Sequence, residues 1–318
     1  MSENKKPTVD ALIIGGSHAG LSAALTLYRA LHTVVIFDGK KPRNRYATAV
    51  RHTSTWEGKL PEEMREASRR ELLGTGLATF VDAEAREVLK TDDGAFEVTD
   101  DEGRKWPGRE LLLATGSTDL FPGLEGYEEL YTRGIYPCMF QFGYELRGSS
   151  SAGLLAIDGL AQPMHALMLA SDAIKYADAL AIYTNGNPGL AAQLSASQQM
   201  AAGMSVDDRK ILRVGRGATS SSSSPSSSVL ITFVDGTEKT EDFVHHRPLT
   251  RVAGRFVDQL GLAVTPMGDI EAPPPFCRTN VPGVFAAGDC ASMMKIIPNA
   301  VATGAYAGCG MCRELLKS

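Results

Sequence analysis

A chain of 318 residues, 43% of them hydrophobic, can bury a sizeable core, and its length suggests about two domains. A net charge of −5 with 22% charged residues excludes the basic balance that nucleic acid or an anionic membrane surface calls for. Cys138, Cys277, Cys290, Cys309 and Cys312 are odd in number and show no disulfide-scaffold spacing, so they read as free thiols in a reducing compartment, and no metal site is expected.

In chain order, a polar start leads into Ala11-Leu12-Ile13-Ile14, a run too short for a signal segment or a membrane span. A soluble, cytoplasmic protein is the expectation. Residues 9–14 read as a strand. The turn Gly15-Gly16-Ser17-His18-Ala19-Gly20 follows, then a helical stretch over 21–27 and a second strand over 33–37 that ends at Asp38. Such a glycine turn between strand and helix presents backbone N–H groups and a positive helix end to a pyrophosphate. Serine at the middle glycine position is small enough to keep the approach close. Asp38, 23 residues after Gly15, stands where a carboxylate accepts from a ribose hydroxyl.

Further strands are expected over 95–99 and 111–114, the latter closing on Ala114-Thr115-Gly116. A second strand–turn–helix–strand pattern runs over 153–157, Asp158-Gly159, 164–176 and 179–183. Strands alternating with helices of this length imply parallel sheets and an α/β architecture. The run 220–228, all serine apart from Pro225, reads as a mobile surface loop. Late in the chain comes Thr279-Asn280-Val281-Pro282-Gly283-Val284-Phe285-Ala286-Ala287-Gly288-Asp289, then a long helix rich in Ala and Gly.

The three glycine-bearing elements, in this order and at these separations, resemble the thioredoxin-reductase-like FAD flavoproteins. Within that group the chain looks most like the natural-product dithiol oxidases of the gliotoxin and holomycin type, on residues 15–24, Lys41-Pro42-Arg43-Asn44-Arg45, Thr55-Trp56, and the run from Met294-Lys295 through Ala300 to Gly304. The resemblance implies two Rossmann-like dinucleotide-binding domains, the second inserted into the first: residues 1–118 and 246–318 for FAD, and 119–245 for an NAD(P)H-type domain. It implies FAD contacts at Gly15, Ser17, His18, Ala19, Gly20, Asp38, Gly39, Arg45, Val81, Ala114, Thr115, Gly116, Asp289, Asn299 and Ala300. It also implies a homodimer.

Two departures from that pattern set the functional expectation. The second glycine turn should fall at Ala156-Ile157-Asp158-Gly159-Leu160-Ala161-Gln162-Pro163, which keeps a single glycine, adds a carboxylate, and loses a helix N–H at Pro163. The strand after it ends in Tyr183-Thr184-Asn185-Gly186-Asn187, without Arg or Lys for a 2′-phosphate. NADPH binding is therefore expected to be lost, leaving dioxygen as the electron acceptor.

The resembled oxidases carry Cys-x-x-Cys followed by histidine. Here the stretch is Cys138-Met139-Phe140-Gln141-Phe142-Gly143-Tyr144-Glu145, with Gln141 at the second cysteine and Phe142 at the histidine. Gln cannot attack a disulfide and Phe cannot move a proton. The expectation is an FAD-dependent oxidase or dehydrogenase of specialised metabolism, with Tyr136, Phe140, Phe142 and Tyr144 as a wall for a hydrophobic small molecule. Gln141, His52 and Cys138 are its candidate catalytic residues. Two alternatives stay open: thiol chemistry through Cys138 alone or Cys309/Cys312, and a flavin-binding protein without net redox turnover, whether cyclase, isomerase or inert partner.

Overall fold

A computed structural model describes residues 8–217 and 228–316. The serine run 220–228 lies outside these residues except for Ser228. The chain forms two compact units, residues 1–118 with 251–318, and residues 119–250.

The first unit opens with β1 (Val9–Ile14), α1 (His18–Arg29), β2 (Val34–Phe37), α2 (Pro61–Leu73), β3 (Ala78–Val81), β4 (Ala85–Lys90), β5 (Phe96–Asp100) and β6 (Lys105–Leu113). The sheet order is β3-β2-β1-β6-β5-β4. β1, β2, β3 and β6 run parallel, while β4, β5 and β6 pair antiparallel. Ala11, Leu12, Ile13 and Leu111 to Leu113 are fully buried. Continuous apolar runs such as these suit central parallel strands covered on both faces.

The chain leaves this unit in β7 (Ser117–Leu120). The second unit holds α3 (Tyr127–Leu130), β8 (Ile135–Tyr136), α4 (Met139–Leu146), β9 (Ser149–Leu155), α5 (Pro163–Ala173), β10 (Ala177–Tyr183), α6 (Pro188–Ser195), β11 (Met204–Asp207), β12 (Ile211–Arg216), β13 (Val229–Phe233), β14 (Glu238–Glu241) and β15 (Phe243–His245). A parallel sheet of order β11-β10-β9-β15-β8 stands beside an antiparallel β12-β13-β14. The strand expected over 153–157 starts earlier, at Ser149, and stops at Leu155.

The return comes in β16 (Leu249–Val252), followed by α7 (Phe256–Leu260), β17 (Val284–Ala286) and α8 (Ile297–Leu315). The first unit resumes at residue 251, not at 246 as the sequence suggested. The reason is that β15 pairs with β8 and β9, and His246 accepts or donates a 2.7 Å hydrogen bond with the Tyr127 hydroxyl. Both ties hold residues 243–246 in the second unit. β17 adds to β6 in parallel, Val284 opposite Leu111.

α8 explains its own composition. A Cβ at Gly304 would meet the Ala19 carbonyl oxygen at 2.2 Å, and one at Gly308 would meet Thr26 Cβ at 2.8 Å. Small residues let α8 lie directly on the α1 backbone, and the Ser22 hydroxyl donates to the Val301 carbonyl at 2.7 Å. That contact fixes where the N-terminus of α1 points.

Candidate functional site

In the first unit the strand ends of β1, β2 and β6 converge on the glycine turn. Gly15 sits at φ +123°, a conformation closed to side chains, and a Cβ there would lie 2.1 Å from the Ala114 carbonyl oxygen. A Cβ at Gly16 would lie 2.5 Å from Asp38 Cβ, and one at Gly20 only 1.9 Å from the Gly15 oxygen. The turn therefore packs against both Ala114-Thr115-Gly116 and Asp38. Ser17 precedes α1 in extended backbone and makes no side-chain cap, so the first N–H groups of this 12-residue helix have no internal partner. This is a cradle that fits a diphosphate.

Asp38 follows the buried strand Val34–Phe37, and its Oδ1 accepts from the Lys40 N–H at 3.0 Å. Its Oδ2 pairs with Lys40 Nζ at 2.8 Å and Arg69 Nη1 at 3.4 Å. Gly39 packs against Glu84, and Val81 at the end of β3 accepts from the Asp38 N–H at 2.9 Å. Arg45 donates to the Tyr46 hydroxyl at 2.9 Å and to the Pro42 carbonyl at 3.2 Å. His18, 8% exposed, lies 3.4 Å from Asn44 Nδ2. Burial, aided by Arg65, pushes its pKa down to about 4.

Late in the chain, Asp289 lies in a 3₁₀ turn after β17, 3.5 Å from Arg43 Nη1, and a Cβ on the preceding Gly288 would meet Ala19 Cβ at 2.8 Å. Lys295 ties the next turn together by donating to Asp269 Oδ1 at 2.8 Å, the Asp289 carbonyl at 2.7 Å and the Ser292 carbonyl at 2.9 Å. The Asn299 amide donates to Ser292 Oγ and the Met294 carbonyl, and Ala300 closes the first α8 hydrogen bond onto Ile296. The sequence marks Lys295 only as part of the run that carries the resemblance, and its tying role emerges from the fold, because nothing local distinguishes it from a surface lysine.

Residues 9–140 and 246–304 match the pyridine nucleotide-disulphide oxidoreductase family. The chain belongs to that family. It is 38% identical over 312 residues to thioredoxin reductase aclD of Aspergillus oryzae, covering 97% of each chain. It is 36% identical over 307 residues to thioredoxin reductase sirT of Leptosphaeria maculans, covering 95% of this chain and 93% of that one. A solved oxidoreductase from Agrobacterium tumefaciens matches with a TM-score of 0.83 and 29% identity, over 98% of this chain and 99% of that chain. The protein is thus a flavin-dependent oxidoreductase of thioredoxin-reductase-like fold, and its cofactor is FAD. The glycine cradle, Asp38 and Asp289 would hold that cofactor.

The second unit carries the segment where the resembled oxidases keep their cysteine pair. Cys138 stands immediately before α4 in extended backbone, and its carbonyl accepts from Gln141 at 3.3 Å and Phe142 at 3.1 Å. The four aromatic residues do not form one wall. Tyr136 is 6% exposed and its ring lies 5.0 Å from Phe142, both packed on the unit's own core. Phe140 and Tyr144, 71% and 68% exposed, lie one turn apart on the opposite face of α4, and Arg147 covers the Tyr144 ring at 4.0 Å. The helical period separates them, since residues i and i+4 share a face that i+2 does not.

The turn after β9 is filled by protein. Asp158 takes a left-handed φ of 49°, residues Asp158–Leu160 form a 3₁₀ turn, and Leu160 is buried. A Cβ at Gly159 would meet Leu249 at 2.8 Å. After β10, Asn185 Oδ1 accepts from Ile211 and Asn187 caps α6, while the methylenes of Lys210 pack on Gly186.

The remaining candidates fall outside both clusters. His52 is exposed at φ 62°, with its N–H donating to Glu57 Oε2 at 2.9 Å. Cys309 and Cys312 lie within unbroken α8 as free thiols, and Cys277 and Cys290 are buried. Burial pushes the Cys277 thiol up to about 11, which suits packing and not nucleophilic attack.

Proposed function

We propose that this protein is an FAD-dependent oxidase or dehydrogenase that acts on a small hydrophobic molecule of specialised metabolism and passes electrons to dioxygen. The observation that carries this reading is the first turn of α4, which holds one thiol, Cys138, with Gln141 and core-packed Phe142 where a dithiol mechanism needs a second thiol and a histidine. FAD, when bound, would supply a two-electron acceptor, and dioxygen would take those electrons from the reduced flavin and become hydrogen peroxide. The balanced reaction removes two electrons and two protons from a substrate C–H next to O or N, or from a ring undergoing desaturation, and reduces dioxygen to hydrogen peroxide.

In this reading exposed Phe140 and Tyr144 supply apolar contact, and Gln141 orients a polar group of the substrate through its amide. The 3₁₀ turn at Asp158–Leu160, with a carboxylate at its start and Leu160 in the core, supports a second unit that serves as scaffold without NADPH. A homodimer completes the proposal.

The test is anaerobic. The purified yellow protein is mixed with NADPH and, separately, with extracts of candidate metabolites. Bleaching by a metabolite without NADPH, followed by recovery of colour and peroxide formation on admitting air, is the expected result. Rapid bleaching by NADPH alone would overturn the oxidase reading. Turnover that persists in Cys138→Ala separates it from thiol chemistry.

A further inference from the structure

The first turn of α1 is where the diphosphate of FAD brings its charge, and residues 15–20 of that turn contain no lysine or arginine. The fold delivers one from another element. Arg65, in the second turn of α2, donates from Nη1 to Asn44 Oδ1 at 2.9 Å, and Asn44 Nδ2 in turn lies 3.4 Å from His18 Nε2. The bond from Arg65 fixes the orientation of the Asn44 amide, and that orientation directs its N–H₂ at the imidazole.

Arg65 is half-buried, yet among the described residues no carboxylate oxygen lies within 4.0 Å of its guanidinium. Glu62, Glu66 and Asp38 act on it only from farther away, and burial outweighs them in lowering its pKa. Arg69, one turn further along α2, shows the contrast: it pairs with Asp38 at 3.4 Å and with Asp82 at 2.8 Å. A half-buried cation whose one hydrogen-bond partner is a neutral amide is an unfavourable arrangement unless an anion completes it. His18 does not supply the missing charge, because it is buried and neutral near pH 7.

We propose that Arg65 is the cation that neutralises the FAD diphosphate at the N-terminus of α1, held in place by Asn44 with His18 as its neutral neighbour. The inference rests on FAD as the cofactor and is independent of the substrate oxidised.

Arg65→Gln tests it, since the amide removes the charge while keeping a donor for Asn44. Two readouts are taken on the full-length chain: the FAD dissociation constant of FAD-depleted protein, from flavin fluorescence, and the thermal midpoint with and without FAD. R65Q is expected to bind FAD about 10- to 100-fold more weakly, the range for a hydrogen bond to a charged group. R65K should fall between the two. Without FAD, the R65Q midpoint should equal or exceed that of the parent, because the unpaired cation is gone. Unchanged FAD affinity would overturn the proposal. So would an R65Q chain that fails to fold, or that is destabilised without FAD, since Arg65 would then be structural.

Discussion

At the scale of single residues, the glycine turn divides its duties unevenly. Gly15 is fixed by backbone, with φ at +123° and a carbonyl in the space of any Cβ, so substitution there attacks the fold. Gly16 has an ordinary φ, and its missing Cβ is opposed by the side chain of Asp38, at 2.5 Å from Cβ and 2.8 Å from Oδ2. Gly16→Ala should therefore strain the turn, because Asp38 Cβ is fixed to its own backbone and cannot rotate away, and also push the Asp38 carboxylate out of place. A loss of one charge-assisted hydrogen bond to the ribose predicts FAD binding weaker by about tenfold or more, and the overlap with Asp38 Cβ predicts a melting midpoint below the parent's even in the absence of FAD. Flavin content after gel filtration and a fluorescence titration check this, and full flavin retention would remove Asp38 from the ribose role.

At the scale of elements, α8 offers a case where two effects of opposite sign can be compared. Gly304→Ala gains about 0.8–1 kcal/mol in helix propensity. The new methyl would sit 2.2 Å from the Ala19 carbonyl oxygen and 2.9 Å from Ala19 Cα, both backbone atoms of α1 that cannot rotate away. Overpacking of this kind costs about 1–3 kcal/mol, so the net effect is destabilising. Gly308→Ala meets Thr26 Cβ at 2.8 Å and the Ala23 oxygen at 3.0 Å, and should be milder. Thermal melts of the two variants should rank G304A below G308A, and only G304A, which presses on the first turn of α1, should shed flavin on dilution.

The same elements show what sequence could and could not convey. The β1 turn and the carboxylate after β2 are local patterns, so Gly15, Gly20 and Asp38 were legible from spacing alone. α2 was not: its Pro61-Glu62-Glu63-Met64-Arg65 start reads as a solvated charged helix, and the role of Arg65 arises only when tertiary packing sets it beside Asn44. The split of Phe140 and Tyr144 from Phe142 follows from a helical period over residues 139–146 that adjacency in sequence conceals, while Tyr136 is set apart by lying in β8. The late domain return at 251 had a similar cause, since a three-residue strand such as Phe243–His245 gives almost no periodic signal.

At the scale of the whole molecule, buried titratable groups give the two units opposite responses to pH. In the second unit His245 and His246 are 1% and 0% exposed, and burial holds their pKa values down to about 4 and about 3. Unfolded, each takes up a proton near its ordinary 6.5, so the unit loses stability as pH falls below that value. From pH 6.5 to 4.5 the loss is on the order of 5 kcal/mol for two such groups at about 1.4 kcal/mol per pH unit each. In the first unit His18 acts in the same direction, but Glu110 opposes it. Burial and the charge of Glu314 raise Glu110 to about 8, so the folded unit keeps a proton that the unfolded chain releases above about 4.5. The two nearly cancel between pH 4.5 and 6.5, and above that Glu110 alone erodes the first unit as pH rises toward 8. Carboxylates held low, such as Asp10, Asp100 and Asp207, act below their ordinary 3.8 and leave this window untouched. Both tryptophans, Trp56 and Trp106, lie in the first unit, so their emission follows that unit alone. Thermal melts near pH 5 should show far-ultraviolet ellipticity falling in part before tryptophan emission changes, and near pH 8 the tryptophan transition should move to lower temperature. His246→Phe removes one of the two buried imidazoles but also the hydrogen-bond partner of the Tyr127 hydroxyl, so it should lower the second unit's midpoint at pH 7 while making its decline between pH 6.5 and 5 shallower. Coincident transitions at pH 5 would mean that the histidine pair does not govern the acid stability of its unit.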